Sequence, residues 1–233
     1  MKIAIMQPYI FPYIGYFQLI RAVDIFVFYD DVNFIRRGWI NRNQLLVNSE
    51  AKLFTIPLLK ASQNKLINEV KLMDNQQWLK QFYTTLEFNY KKAPHFNEIF
   101  ELIRSIFGKN HNTISDLSID SVKTISNYLS LSIAFEKSST SYPETKGMDK
   151  ADRLIEISKI KKADVYINPS GGKELYQKEY FRENGIELSF INNQIPHYNQ
   201  NNSVFVAGLS IIDVLMYNSK EEALKMLDLY NLT

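Results

Sequence analysis

A mainly parallel α/β sheet flanked by helices, broken by a mainly helical insertion, is the fold this sequence predicts. Three observations predict it. Two β-favouring apolar runs near the N-terminus are joined by one amphipathic helical stretch, which reads as a right-handed parallel βαβ unit. Between Asn75 and Leu131 the apolar positions take helical spacing. Beyond Leu131, short strand and helix patterns alternate again.

The first run, Lys2 to Met6, stops at Gln7-Pro8, because proline cannot donate to a central ladder. Pro12 stands near the start of a helix over Tyr13 to Val23, where its missing N–H costs little. Ile25 to Tyr29 is continuously apolar, as in a strand buried on both faces. Asp30 to Asn43 is polar, basic and aromatic together. Lys52 to Leu58 and Ile67 to Met73 are predicted strands, paired with each other as a hairpin or edge ribbon. The insertion shows Trp78/Phe82/Leu86, Phe96/Ile99/Phe100/Ile103 and Val122/Ile125/Leu129, with Asp74 and Asp120 as predicted N-caps. Next come a strand at Ile133 to Phe135 and a helix at Lys150 to Lys159, with Leu154, Ile155 and Ser158 inward. A strand at Val165 to Ile167 and a helix at Lys173 to Asn184, closed by Gly185, precede a last strand at Ile186 to Ile191. Asn192-Asn193 and Asn199 to Asn202 are predicted loops. Ser210-Ile-Ile-Asp213 reads as a capping box with Asp in the place of Glu, opening a C-terminal helix. No internal repeat is visible, so residues 1–233 read as a single α/β domain with 75–131 as its helical insertion or subdomain.

The composition narrows the function classes. With 45% apolar, 22% charged and 13% aromatic residues in 233, the chain is neither collagen-like nor disordered. The absence of cysteine excludes disulfides, a thiolate nucleophile and Cys-containing zinc sites. A net charge of +2 gives no field that would favour nucleic acid. No signal-peptide pattern opens the chain, and no apolar run approaches the ~20 residues of a membrane span. A cytoplasmic, soluble protein is expected.

Three stretches could carry chemistry. The turn Gln7 to Tyr16 follows the first strand, where ligands of open α/β sheets collect, and Gly15 would let a ligand approach the backbone. Its bland alternative is that Tyr9, Phe11, Tyr13 and Tyr16 are packed aromatics. Asp30-Asp31 at a strand end can hold Mg²⁺ or orient a hydroxyl. Arg36, Arg37, Trp39, Asn41, Arg42 and Asn43 suit phosphate or carboxylate beside a stacked ring. The alternatives there are a solvated charged loop or, with little support from net charge, an RNA contact. Third, Asn168-Pro-Ser170-Gly171-Gly172-Lys173 lies between a strand and a helix and offers free amides with a point charge. It lacks the Walker A spacing and can equally be an ordinary connection. Lys146-Gly147, with Lys150 and Arg153, could add to an anion site or equally form a solvated helix start. Three scattered histidines make a structural zinc site unexpected, and no Gly-x-Ser-x-Gly elbow marks a Ser-His-Asp hydrolase.

Met6-Gln-Pro-Tyr-Ile-Phe-Pro-Tyr-Ile-Gly-Tyr-Phe-Gln-Leu-Ile20, Phe28-Tyr-Asp-Asp31, Arg37-Gly-Trp-Ile-Asn-Arg-Asn43, Pro169-Ser-Gly-Gly-Lys173 and Leu209-Ser-Ile-Ile-Asp-Val-Leu215 resemble the WbqC-like protein family over nearly the whole chain. That family is associated with bacterial O-antigen and other surface-polysaccharide gene clusters, and one member has been suggested to be a glycine transferase. The opening strand, turn and helix are also distantly similar to the nucleotidylyltransferase superfamily. There a His-x-Gly-His signature occupies the place of Tyr13-Ile14-Gly15-Tyr16, and tyrosine cannot supply its positive charge. Together the resemblances imply a Rossmann-like, nucleotidylyltransferase-like sheet and a transferase acting on a sugar or sugar nucleotide, with amide-forming glycine transfer as the reaction. The other reading is a non-catalytic module binding a sugar nucleotide or a pathway enzyme. ATP or another nucleotide with Mg²⁺ is the cofactor this chemistry implies. Asp30, Asp31, Tyr13 and Tyr16 would be catalytic. Gln7, Gly15, Arg36, Arg37, Trp39, Asn41, Arg42, Asn43, Lys146, Ser170, Gly171 and Lys173 would bind substrate around one anion-receiving hollow.

Overall fold

The computed structural model describes residues 1–202 and 204–233. Strand β1 (Lys2–Met6), helix α1 (Ile14–Arg21) and β2 (Ile25–Phe28) form the expected unit, with β1 and β2 parallel from Ile3↔Ile25 to Met6↔Phe28. The chain then builds two small ribbons, β3 (Arg42–Val47) with β4 (Glu50–Thr55) and β5 (Leu58–Leu59) with β6 (Lys71–Leu72). Helices α2 (Gln76–Tyr90), α3 (Phe96–Phe107) and α4 (Ile114–Tyr128) follow as the insertion. The sheet resumes with β7 (Ala134–Lys137), a short helix α5 (Ser138–Ser141), α6 (Lys150–Ile160) and β8 (Val165–Pro169). Helix α7 (Lys178–Glu183), β9 (Glu187–Asn193), α8 (Ile211–Tyr217), α9 (Lys220–Leu227) and β10 (Tyr230–Leu232) complete the order.

The six-stranded sheet runs β10-β9-β8-β1-β2-β7 and is parallel except for β10, which pairs antiparallel with β9. Side chains alternate across it as the period of two demands. Ile3, Ile5, Ile25 and Val27 pack with Leu154, Ile155 and Phe181 on one face. Ala4, Phe26 and Phe28 pack with α1, the insertion and the C-terminal helices on the other. Burial on both faces is why β1 and β2 are apolar almost throughout.

Several expectations are corrected. Lys52 to Leu58 divides between two ribbons, and its first part pairs with Arg42–Val47 rather than with Ile67 to Met73. The two-residue turn joining that hairpin has Asn48 and Ser49 at φ 51° and 67°, the left-handed pair that a type I′ turn requires. Only Lys71–Leu72 of the second predicted strand is extended against Leu58–Leu59, and Ile67–Glu69 forms a 3₁₀ turn. Asn75, not Asp74, caps α2. Thr113 caps α4, and Asp120 lies inside that helix, held by Lys109 and His111. Residues Lys173 to Gln177 lie outside α7. Asn192 and Asn193 belong to β9, and β10 follows it as the last strand. Ser210 does cap α8, but the Asp213 carboxylate turns into the core, accepting from Tyr90, Tyr198 and Gln200.

Candidate functional site

Strand order marks a switch point in the sheet. From β1 the chain crosses to β2 on one side, whereas β8 lies on the other, so the loops beyond their carboxyl ends diverge. In open parallel sheets such a switch point is where ligands sit. Gln7 follows β1 there, Tyr29 to Asp31 follow β2, and the 3₁₀ turn Ser170–Gly172 follows β8.

The turn after β1 is tightly built. Phe11 holds φ at 40°, a costly region for a bulky residue. Its carbonyl accepts from Asn43 Nδ2 (2.8 Å) and Ser210 Oγ (2.7 Å). The Ile10 carbonyl accepts from Asn43 Nδ2 as well (3.1 Å), and Ile10 N–H donates to Ile40. Asn43 is therefore a brace of the turn, with its amide already used. Tyr16 is buried and donates its hydroxyl to the Gln7 carbonyl (2.9 Å), and burial pushes its pKa well up. It supports the turn's floor and has no face open to a substrate. Tyr13 is less buried, its pKa raised by the same cause. A β-carbon at Gly15 would overlap the Tyr13 ring and the Asn193 side chain, so glycine lets these three close up.

Asp30 and Asp31 lie at the carboxyl end of β2, both buried. Asp31 Oδ2 meets Arg153 Nη2 at 2.6 Å and its Oδ1 accepts from Ser138 Oγ at 2.5 Å. Asp30 accepts from Ser139 N–H and Ser139 Oγ (3.0 and 2.8 Å), and Ser138 Oγ lies 3.2 Å from its Oδ1. Arg153 continues to Thr145 Oγ1 and lies over the Tyr29 ring, 4.8 Å from its centroid. Burial raises the Tyr29 pKa, against the opposing pull of Arg153. Arg153 is thus an internal counter-ion. Carboxylates engaged on these edges, with a guanidinium against them, do not fit a divalent cation. Among the described residues, no group of three or more His, Asp or Glu is placed to hold a metal ion.

The arginines stand elsewhere. Arg36, Arg37, Asn41 and Arg42 line a depression of about 580 Å³ whose floor is apolar, with Phe34, Ile56, Pro57 and Leu58. Arg42 donates to the carbonyls of Arg37 and Gly38 and lies over Trp39, 5.8 Å from its ring centroid. Arg37 sits at φ 61°. Trp39 is exposed, and Asn41 Nδ2 is tied to the Ile56 carbonyl (3.0 Å). Tyr13, Tyr16, Ser170, Gly171 and Lys173 do not line this depression. The three stretches do not form the single hollow expected from the sequence. The tyrosine turn and the arginine segment touch through Ile10–Ile40 and Asn43, while the Ser-Gly-Lys bend follows β8 and packs toward β9. Ser170 and Gly171 are exposed there, and Lys173 lies over Phe190. Lys146 is exposed, after the 3₁₀ turn Pro143–Thr145.

Sequence reasoning passed over Gln18 and read Asp213 only as a capping residue. Gln18 is buried, its amide 2.8 to 3.0 Å from the carbonyls of Gln194, Met226 and Leu229, and it fastens the C-terminal elements behind α1. A polar residue on the apolar face of an amphipathic helix was the available signal.

A family model described as the WbqC-like protein family matches residues 7–225. A protein of Mycobacterium tuberculosis described as uncharacterized, Rv1507c, is 31% identical over 225 residues, 95% of each chain. No solved structure matches. No helix among the described residues is long and apolar enough to cross a membrane.

Proposed function

This chain belongs to the WbqC-like protein family, and on that premise we propose that it is a transferase of bacterial surface-polysaccharide biosynthesis acting on a sugar nucleotide. The observation that carries the reading is the strand reversal at β1, between β8 and β2, beyond whose carboxyl ends a ligand of an open parallel sheet would lie. The nucleotide's phosphates would meet the Ser170 and Gly171 amides and Lys173, with Gln7 and Tyr13 opposite. Arg36, Arg37 and Arg42 would then hold a second anion, that of the acceptor. Asp30, Asp31 and Arg153 keep the loop between the two regions in place.

Glycine transfer by amide formation suits this division. A sugar carboxylate displaces pyrophosphate from ATP to give an acyl adenylate. The glycine amine then attacks the acyl carbon, AMP leaves, and the amine proton passes to solvent. The parallel with nucleotidylyltransferase-like enzymes is an analogy only. The engaged state of Asp30 and Asp31 favours a second reading, a non-catalytic module that binds the sugar nucleotide. Incubating the protein with ATP, glycine and a panel of sugar nucleotides separates the two. A product heavier by one glycine residue supports transfer. Thermal stabilisation without product supports the binding module, and neither effect removes both.

A further inference from the structure

A second depression, of about 690 Å³, adjoins the arginine one, and Ile56 and Pro57 line both. It lies between the β5–β6 ribbon and the insertion, and the Leu72 N–H to Asn112 carbonyl bond (3.1 Å) joins its two walls. Its lining is chemically unlike the first. Trp78, stacked on Phe82 at 5.2 Å and 9° and 6.1 Å from Phe107, contributes a rigidly packed indole to the lining. Gln76, Asn110 and His111 surround it with amide and imidazole groups. The His111 side chain is only 9% exposed, and its Nε2 lies 3.1 Å from Asp120 Oδ2. Lys109 Nζ also holds Asp120, at 2.7 Å. This fixes the imidazole's orientation in the wall.

We infer that the two depressions form one trough for an anionic saccharide chain, with the sugar rings against Trp78, Gln76 and His111 and the charge at Arg36, Arg37 and Arg42. In-plane amides and an imidazole match the hydroxyls of a sugar ring, and an indole face matches its C–H surface. The arginines supply planar donors for a carboxylate or a phosphate. The inference rests on the transferase reading, for which the trough is the acceptor side.

Titration calorimetry on the full chain tests it without turnover. Trigalacturonate and trehalose 6-phosphate are the carboxylated and phosphorylated probes, and maltotriose is the neutral one. At least one charged probe should bind, tenfold or more tighter than maltotriose. Arg36→Ala and Gln76→Ala, each on an exposed residue, should weaken it about tenfold, with His111→Gln doing the same. The stronger of the two charged probes identifies the anion. The inference is overturned if neither charged probe binds, if binding ignores all three substitutions, or if UDP competes for the same place. Sugar-nucleotide turnover that persists with an empty trough would retain the transferase and discard the trough. Saccharide binding without any sugar-nucleotide binding or product would do the reverse.

Discussion

Asp31 and Asp213 are both buried aspartates, and the molecule compensates them in opposite ways. Asp31 faces a guanidinium, that of Arg153, in a pair closed off from water. Asp213 accepts from neutral donors among the described residues, the Tyr90 and Tyr198 hydroxyls (2.8 and 2.6 Å) and Gln200 Nε2 (2.9 Å). Burial without a counter-ion disfavours the charged form of a carboxylate, and hydrogen bonds from neutral donors offset this only in part. Burial raises the Asp213 pKa accordingly, although its three hydrogen bonds resist. The first arrangement positions a loop at the sheet edge. The second joins α2, α8 and the loop carrying Tyr198 and Gln200 into one core.

The largest expected effect breaks the first arrangement. Arg153→Met leaves Asp31 buried without its counter-ion and should cost about 3–5 kcal/mol in urea unfolding. A loss below ~1 kcal/mol would mean the two sites are compensated alike. Tyr198→Phe removes one donor from Asp213 and should cost about 1–3 kcal/mol by the same measurement. The pH dependence sharpens the contrast further. Because the folded-state pKa of Asp213 lies above its ordinary 3.8, its contribution is full below that value and is lost as pH rises through the raised one. The stability of the wild type relative to Asp213→Asn should therefore fall as pH climbs above 3.8, and a constant difference would show the neutral donors to be sufficient. Smallest of all, Arg36→Ala on the exposed rim should change stability by no more than about 0.5 kcal/mol.

The same contrast marks what the sequence could disclose. Strands β1 and β2 were readable because burial on both faces leaves an unbroken apolar run, and the helices of the insertion because their apolar spacing is regular. The β3–β4 hairpin was not, since its first strand begins with Arg42-Asn43-Gln44 and β4 is largely exposed. Asp213 has the spacing of a capping residue, and only the distant Tyr90 and Tyr198 decide that it turns inward. Arg153 read as a contributor to an anion site for the same reason: its partner lies 122 positions away. Of the candidate site, Gln7, the Ser170–Lys173 bend and the arginines were legible as residues. Their division into two regions was not, because it depends on the strand order and on the ribbons inserted after β2.

A crystal soaked with a mixture of nucleotides and sugar nucleotides tests the site most directly. Density beyond the carboxyl ends of β1 and β8, with phosphate against Ser170, Gly171 and Lys173, is the expected result. A nucleotide bound with its phosphate among Arg36, Arg37 and Arg42, and nothing at the sheet edge, would contradict it.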